Sequence, residues 1–218
     1  MRKQKIYCLS GLGVDQRVFQ ALELDIYELV HISWIDPLKN ESLDIYARRL
    51  FEQTQIDDDY LLMGVSFGGM IAVEVAKIKR PRKLILISSM INRHELSLHY
   101  RFLLRIGVHN WVPGNFFRNP GRLGAYFFGA KKENERGLLK KIMRDTDPIF
   151  LKWALGAISN WRNKADVDLF QIHGTRDKII SCPERIKYEI VGAGHFAVFT
   201  HAHMVSESIK KILENENE

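Results

Sequence analysis

The sequence predicts an α/β protein of three layers, in which a mainly parallel six-stranded sheet carries helices on both faces and is interrupted by a helical insertion. Three observations carry this. Through the first ninety residues, apolar runs of strand length alternate with segments whose apolar residues recur at helical spacing, the pattern of βαβ units. From 91 to 165 that rhythm stops and no convincing strand is found. It resumes at Val167 and closes on a further helix. The predicted organisation is a core of residues 1–90 and 166–218, with a cap of residues 91–165 inserted between the fourth and fifth strands.

Taken in order, residues 6–10 read as a short buried strand. The turn Gly11-Leu12-Gly13 follows, and Asp15 is placed to N-cap a helix through about residue 22. Residues 30–35 are the second strand, ended by Asp36-Pro37. Leu43, Tyr46, Ala47, Leu50 and Phe51 repeat at helical spacing, so 42–55 is an amphipathic helix. Residues 60–65 and 83–88 read as strands buried on both faces, the second with Leu84 to Ile87 as its apolar run, and 66–79 between them is a helix. The insertion holds 11 of the chain's 23 aromatic residues, which fits packing onto the core. Its clearest helix opens at Asp147-Pro148, an N-cap followed by proline at the first helical position. It carries Phe150, Trp153, Ala154, Ala157, Ile158 and Trp161 on one stripe. Strands at 167–173 and 188–191 and a helix at 203–213 complete the core.

With 46% hydrophobic and 27% charged residues, the 218-residue chain has the material for a real core, which excludes disorder, collagen-like repeats and a disulfide-stapled miniature. Its two cysteines, Cys8 and Cys182, lie in or beside apolar runs, so a reducing, cytoplasmic setting is expected. The basic start Met1-Arg2-Lys3-Gln4-Lys5 precedes an apolar run too short for a signal peptide, and no run approaches the roughly 20 residues of a membrane span. The net charge of +6 is uneven: residues 91–165 hold 14 Lys/Arg against 5 Asp/Glu, and the rest 18 against 21. No nucleic-acid motif, metal-type Cys/His spacing or phosphate-binding loop accompanies it, so solvated helix faces are the simplest reading, with no nucleic-acid partner and no metal. Docking of an acidic carrier protein, an acyl-CoA or an anionic membrane on the basic cap is the weaker alternative.

Chemistry enters with Gly64-Val65-Ser66-Phe67-Gly68-Gly69, which matches the GxSxG elbow where a strand turns sharply into a helix and lifts a serine hydroxyl above the strand ends. A serine alkoxide is inaccessible at neutral pH without a base, so the elbow calls for a histidine oriented by a carboxylate. His195 lies in the loop Gly192-Ala193-Gly194-His195-Phe196 after the last strand, and Asp177 follows the fifth strand in His173-Gly174-Thr175-Arg176-Asp177. Loops beyond the strand C-termini of a parallel sheet bring such groups to one edge.

On GVSFGG at 64–69, HGTRD at 173–177, GAGHF at 192–196 and LSGLG at 9–13, the chain resembles the alpha/beta hydrolase superfamily over nearly its whole length. The resemblance implies Ser66 as nucleophile, His195 as general base and acid, and Asp177 as the residue that orients the imidazole. It further implies an oxyanion hole from the N–H of Phe67 and an N–H of the loop after the first strand, Leu12, with Gly13 as the alternative. Many members carry His-Gly where this chain has Ser10-Gly11, which leaves the backbone donor in place. Larger members begin with an antiparallel hairpin, and this fold lacks it, starting at the strand that leads to the oxyanion loop.

Other candidates have simpler roles. His31, His94, His99, His109, His201 and His203 lack the glycine-flanked loop and read as surface or packing residues. His173 ends a strand beside the acid loop, where contact with the site is one reading and structural support the simpler one. Asp145 and Asp147 sit in the cap, where capping explains them, and 88–92 after the fourth strand offers no acid. The implied activity is a cofactor-free serine hydrolase acting on a carboxylic ester or related acyl bond of a small, largely apolar substrate, with Phe150 and Trp153 of the cap as substrate-contacting candidates. Thioesterases, carbon–carbon bond hydrolases and lyases use the same three residues, and a non-catalytic ligand-binding module of this fold is the reading from another class.

Overall fold

The computed structural model describes residues 3–12, 14–107, 121–163, 167–184 and 186–214. Six parallel strands form one sheet in the order β2-β1-β3-β4-β5-β6: β1 (Gln4–Leu9), β2 (Tyr27–His31), β3 (Leu61–Val65), β4 (Lys83–Ile87), β5 (Phe170–Gly174) and β6 (Tyr188–Ile190). The register pairs Ile6 with both Leu29 and Leu61, Leu61 with Lys83, Ile85 with Phe170 and Ile172 with Tyr188. β3 and β4 are buried at every residue, and apart from Lys83, whose ammonium donates to Ile212 O, their sequences are apolar.

Side chains alternate between two cores, as the period of two along a strand dictates. Tyr7, Leu9, Leu62, Leu84 and Leu86 face α1 (Leu43–Gln53) and α2 (Phe67–Ile78). Ile6, Cys8, Met63, Val65, Ile85 and Ile87 face the opposite layer, whose last helix, Ala202–Glu214, contributes Val205, Ile209 and Ile212. The insertion contributes to both cores. Its described residues form α3 (Leu98–Arg105), α4 (Gly121–Phe128), α5 (Glu133–Asp145) and α6 (Pro148–Asn160), with one antiparallel bridge between Leu96 and Ile180. α6 starts as the sequence signals, with the Asp147 carboxylate accepting from the Ile149 N–H. It buries Phe150, Ala154 and Trp161 beside α1 and α2, and the Trp161 indole donates to Glu74 of α2 at 2.7 Å. α4 and α5 place Ala125, Leu139 and Ile142 in the other core.

Three elements differ from the sequence reading, one of them β5, which starts at Phe170 and not at 167. The helix expected from Asp15 to about residue 22 is a single 3-10 turn, Gln16–Phe19. Asp15 caps it as expected, accepting from the Arg17 N–H, and Val14, Val18 and Leu22 pack into one core four residues apart, yet the turn ends at Phe19. The second strand lies three to four residues earlier than 30–35, because pairing of Tyr27 with Gln4 sets its start and its last rung, Ile32 N–H to Cys8 O, falls where β1 ends. Among the described residues, no helix is long and apolar enough to cross a membrane, and no group of His, Cys, Asp or Glu is placed to hold a metal ion.

Candidate active site

Ser66 sits between β3 and α2 at φ 52°, ψ −118°, a backbone conformation that a residue with a side chain adopts only under constraint. Its surroundings supply the constraint. The Ser66 N–H donates to Ile87 O at 2.9 Å, and its carbonyl accepts from the Ser89 hydroxyl at 2.6 Å. The glycines make the turn possible: a Cβ on Gly64 would run into the backbone of Gly68 and Gly69, and one on Gly68 into the carbonyls of Leu9 and Ser10. The elbow is therefore pressed against the C-terminal end of β1.

His195 and Asp177 arrive on two loops that hold each other. The Arg176 N–H donates to Ala193 O at 2.9 Å, Thr175 N–H to Ile190 O, and Gly192 N–H to the Thr175 hydroxyl. The result is a continuous chain of polar contacts: Ser66 Oγ to His195 Nε2 at 2.8 Å, then His195 Nδ1 to Asp177 Oδ2 at 2.8 Å. Asp177 is fully buried at its side chain, and its other oxygen, Oδ1, accepts from the N–H groups of Ile179 (2.8 Å) and Ile180 (3.0 Å). The structure thus brings together all three residues singled out in the sequence.

Burial by itself pushes the Asp177 carboxyl up. The charge and hydrogen bonding of His195 and the hydrogen bond from His173 outweigh it and hold the group well below the usual carboxylate range. A depressed folded-state pKa contributes stability that is complete above the ordinary carboxylate value, about 3.9, and is lost as pH falls through the lower folded value. The urea midpoint of wild type is therefore expected to fall more steeply between about pH 4 and pH 2 than that of Asp177→Asn. Parallel slopes in urea titrations of the two proteins would contradict this account of the carboxylate.

His173 touches the site, the less favoured of the two roles the sequence offered it. Fully buried at the end of β5, it has Nε2 3.2 Å from Asp177 Oδ2 and 3.1 Å from Ile180 O, two acceptors that place its proton on that nitrogen. It is a second donor to the same carboxylate oxygen that meets His195. Glu95, seven residues beyond Ser88, is also half-buried near His173; burial pushes its carboxyl up.

The N–H groups of Leu12 and Phe67 have no backbone acceptor among the described residues, and Gly11 packs so closely that a Cβ there would lie 3.4 Å from Ser66 Cβ. Gly13, the alternative donor, lies outside the described residues. Ser10, standing where the related pattern has histidine, is buried and ties the loop down through its hydroxyl to Val14 O at 2.7 Å. His31 packs beneath it, its Nε2 3.4 Å from the Ser10 hydroxyl.

Phe150 and Trp153 lie behind Phe67, each meeting its ring edge-on at a centroid distance of 6.0 Å. Trp153 also stacks on Tyr46 at 4.4 Å and donates to Glu41 O at 2.9 Å. It borders a large cavity between α1 and α6, which is lined by none of Ser66, Asp177 and His195. Among the described residues, Phe128 at the end of α4 meets the imidazole, edge-on to His195 at 5.6 Å, and its carbonyl accepts from the Phe196 N–H at 2.8 Å. The sequence marked Phe128 as one cap aromatic among eleven, with no signal to set it apart. Trp111, Phe116, Phe117 and His109 lie outside the described residues.

Ser89 was equally invisible, being a plain serine two residues past a strand. Ser89→Ala removes the donor to Ser66 O, and we expect a loss of about 1 kcal/mol in stability, with a several-fold fall in kcat as the elbow relaxes and KM nearly unchanged. Chemical denaturation and steady-state kinetics of the variant check both; an unchanged kcat would mean that the elbow is held without this bond.

No family model and no curated protein sequence matches the chain. Solved structures do. An esterase from Exiguobacterium antarcticum aligns at TM-score 0.73 and 14% identity over 97% of this chain and 92% of that one. A thermophilic esterase from Thermogutta terrifontis aligns at 0.70 and 15% over 99% and 91%. The enol-lactonase from Burkholderia xenovorans LB400 aligns at 0.68 and 14% over 98% and 92%. These alignments span nearly the full length of each chain, and the open parallel sheet with helices on both faces is the alpha/beta hydrolase fold.

Proposed function

We propose that the protein is a serine hydrolase that cleaves a carboxylic ester, or a related acyl bond, of a small and largely apolar substrate. The observation that carries this reading is the unbroken contact from Ser66 through His195 to a buried, ionised Asp177. His195 Nε2 takes the Ser66 proton as the oxygen attacks the acyl carbon, and Asp177 stabilises the imidazolium that forms. The N–H groups of Phe67 and Leu12 face the developing oxyanion, a contribution of several kcal/mol in sites of this kind. His195 returns the proton to the leaving group, and a water activated by the same nitrogen then releases the acyl group from Ser66. These steps need no cofactor. Residues 91–165 act as the cap in this reading. The two unpaired cysteines, Cys8 buried and Cys182 half-buried, suit a cytoplasmic setting.

The test is a panel of p-nitrophenyl esters graded by acyl length, with one thioester of matched acyl group. Each buried methylene is worth about 0.8 kcal/mol, so kcat/KM is expected to rise roughly threefold to fourfold per carbon until the site is full. Phe150 and Trp153 form the wall behind Phe67, and truncating either to alanine moves the optimum toward longer acyl chains. No turnover of any ester contradicts the reading, and preference for the thioester redirects it to that bond. An optimum unmoved in folded Phe150→Ala and Trp153→Ala returns both rings to the core.

A further inference from the structure

Behind the loop that carries His195 lies a second cavity, of about 370 Å³, whose charged lining is entirely basic: Arg122, Lys131, Arg136, Arg176 and Lys178. The rest of the lining is Tyr126 with glycine and alanine; Gly192 and Gly194 come from the His195 loop itself.

The acids nearest in sequence to these cations are turned away from the cavity. Asp177, between Arg176 and Lys178, is fully buried and spends both oxygens on His195, His173 and two backbone N–H groups. Glu135, beside Arg136, is buried and accepts from the backbone N–H groups of Lys131 and Lys132 at 2.7 and 3.0 Å. Glu133 is exposed and lines no part of the cavity. Among the described residues, none of the five cations has a carboxylate within ion-pair distance, whereas Arg49, Lys77 and Lys79 elsewhere on the surface are matched with Glu41, Glu74 and Asp58. Lys178 is instead held over the Tyr126 ring, its Nζ 3.1 Å from the centroid, which fixes one ammonium at the rim. Five like charges around one small concavity repel one another and raise a positive potential that a multiply charged anion relieves. Three guanidinium groups add fork-shaped donors suited to tetrahedral oxyanions.

We propose that this cavity is a binding site for a phosphate-type anion carrying two or more charges. The anion is either a free ligand or the phosphorylated end of the substrate's leaving group. Only the second source rests on the hydrolase reading, since Gly194 and Arg176 adjoin His195 and Asp177 in the chain and the cavity backs onto both loops.

The experiment is calorimetric titration of pyrophosphate into wild type and into Ser66→Ala, at low ionic strength against a chloride control of equal ionic strength. Saturable one-to-one binding is expected in both, and its persistence in Ser66→Ala keeps this result separate from the fate of the catalytic assignment. Arg122→Gln/Lys178→Gln and, independently, Lys131→Gln/Arg136→Gln are expected to weaken binding at least tenfold, while Lys39→Gln, in the lining of the cavity between α1 and α6, leaves it unchanged; thermal melts confirm that each variant is folded. No saturable binding, or equal weakening by Lys39→Gln, overturns the proposal. The source is read from kinetics with a phenyl ester and its 4-phosphate counterpart. A loss of preference for the phosphate ester in Arg122→Gln/Lys178→Gln assigns the leaving group, and an unchanged ratio together with intact pyrophosphate binding in wild type assigns a free anion.

Discussion

Ser66→Ala leaves a folded protein whose turnover of any accepted ester is lower by roughly 10³-fold or more. The size follows from what the hydroxyl does: it is the group in contact with His195 Nε2, and without it the imidazole has no nucleophile to deprotonate. The fold survives because the elbow is held by main-chain atoms. Ser66 N–H bonds Ile87 O, and Ser66 O accepts from Ser89 and from Gly69 N–H, none of which involves the lost oxygen. Alanine carries the same Cβ at the same positive φ, so the backbone strain is unchanged. The melting temperature is expected to stay within a few degrees of wild type, in keeping with the small effect of a substitution that leaves core and backbone contacts alone. Turnover near the wild-type rate in this variant would remove Ser66 from the chemistry.

Asp177→Asn is the second large effect. An asparagine whose Oδ1 keeps the bonds from Ile179 and Ile180 N–H must turn its amide toward His195 Nδ1 and His173 Nε2. His195 Nδ1 then accepts where it formerly donated, its proton moves to Nε2, and the base that faced Ser66 becomes a donor. The negative charge that stabilises the imidazolium is lost as well. The expected fall in kcat is about 10³- to 10⁴-fold with KM changed little. If Asp177→Asn is close to wild type while Asp145→Asn is inactive, the acid lies elsewhere; Asp145 here makes a half-exposed ion pair with Arg17 at 2.7 Å.

What the sequence made legible is what local chemistry dictates. A GxSxG turn needs glycines within a few residues of the serine, and doubly buried strands must be largely apolar, so Ser66, β3 and β4 could be read directly. The boundaries of β2 could not, because an edge strand of partly buried residues takes its ends from pairing with β1, and Asp15 announced a cap without fixing how far the turn would run. The stripe of α6 was visible, but that it packs on Tyr46 and Phe67 is a tertiary fact. His173 and Ser89 act through residues far off in sequence or through a main-chain carbonyl, and neither leaves a pattern. The basic excess of the insertion was plain as a sum. That part of it converges with Arg176 and Lys178 from another loop became evident only in three dimensions.

The central claim is that His195 activates Ser66, and reaction with a fluorophosphonate tests it most directly because the probe reports an activated serine whatever the natural substrate. Intact-mass measurement is expected to find one adduct per chain on wild type, located at Ser66 by peptide mapping, none on Ser66→Ala, and labelling slowed by orders of magnitude in His195→Ala. Wild-type protein that stays unlabelled, or an adduct that forms as fast without His195, would contradict it.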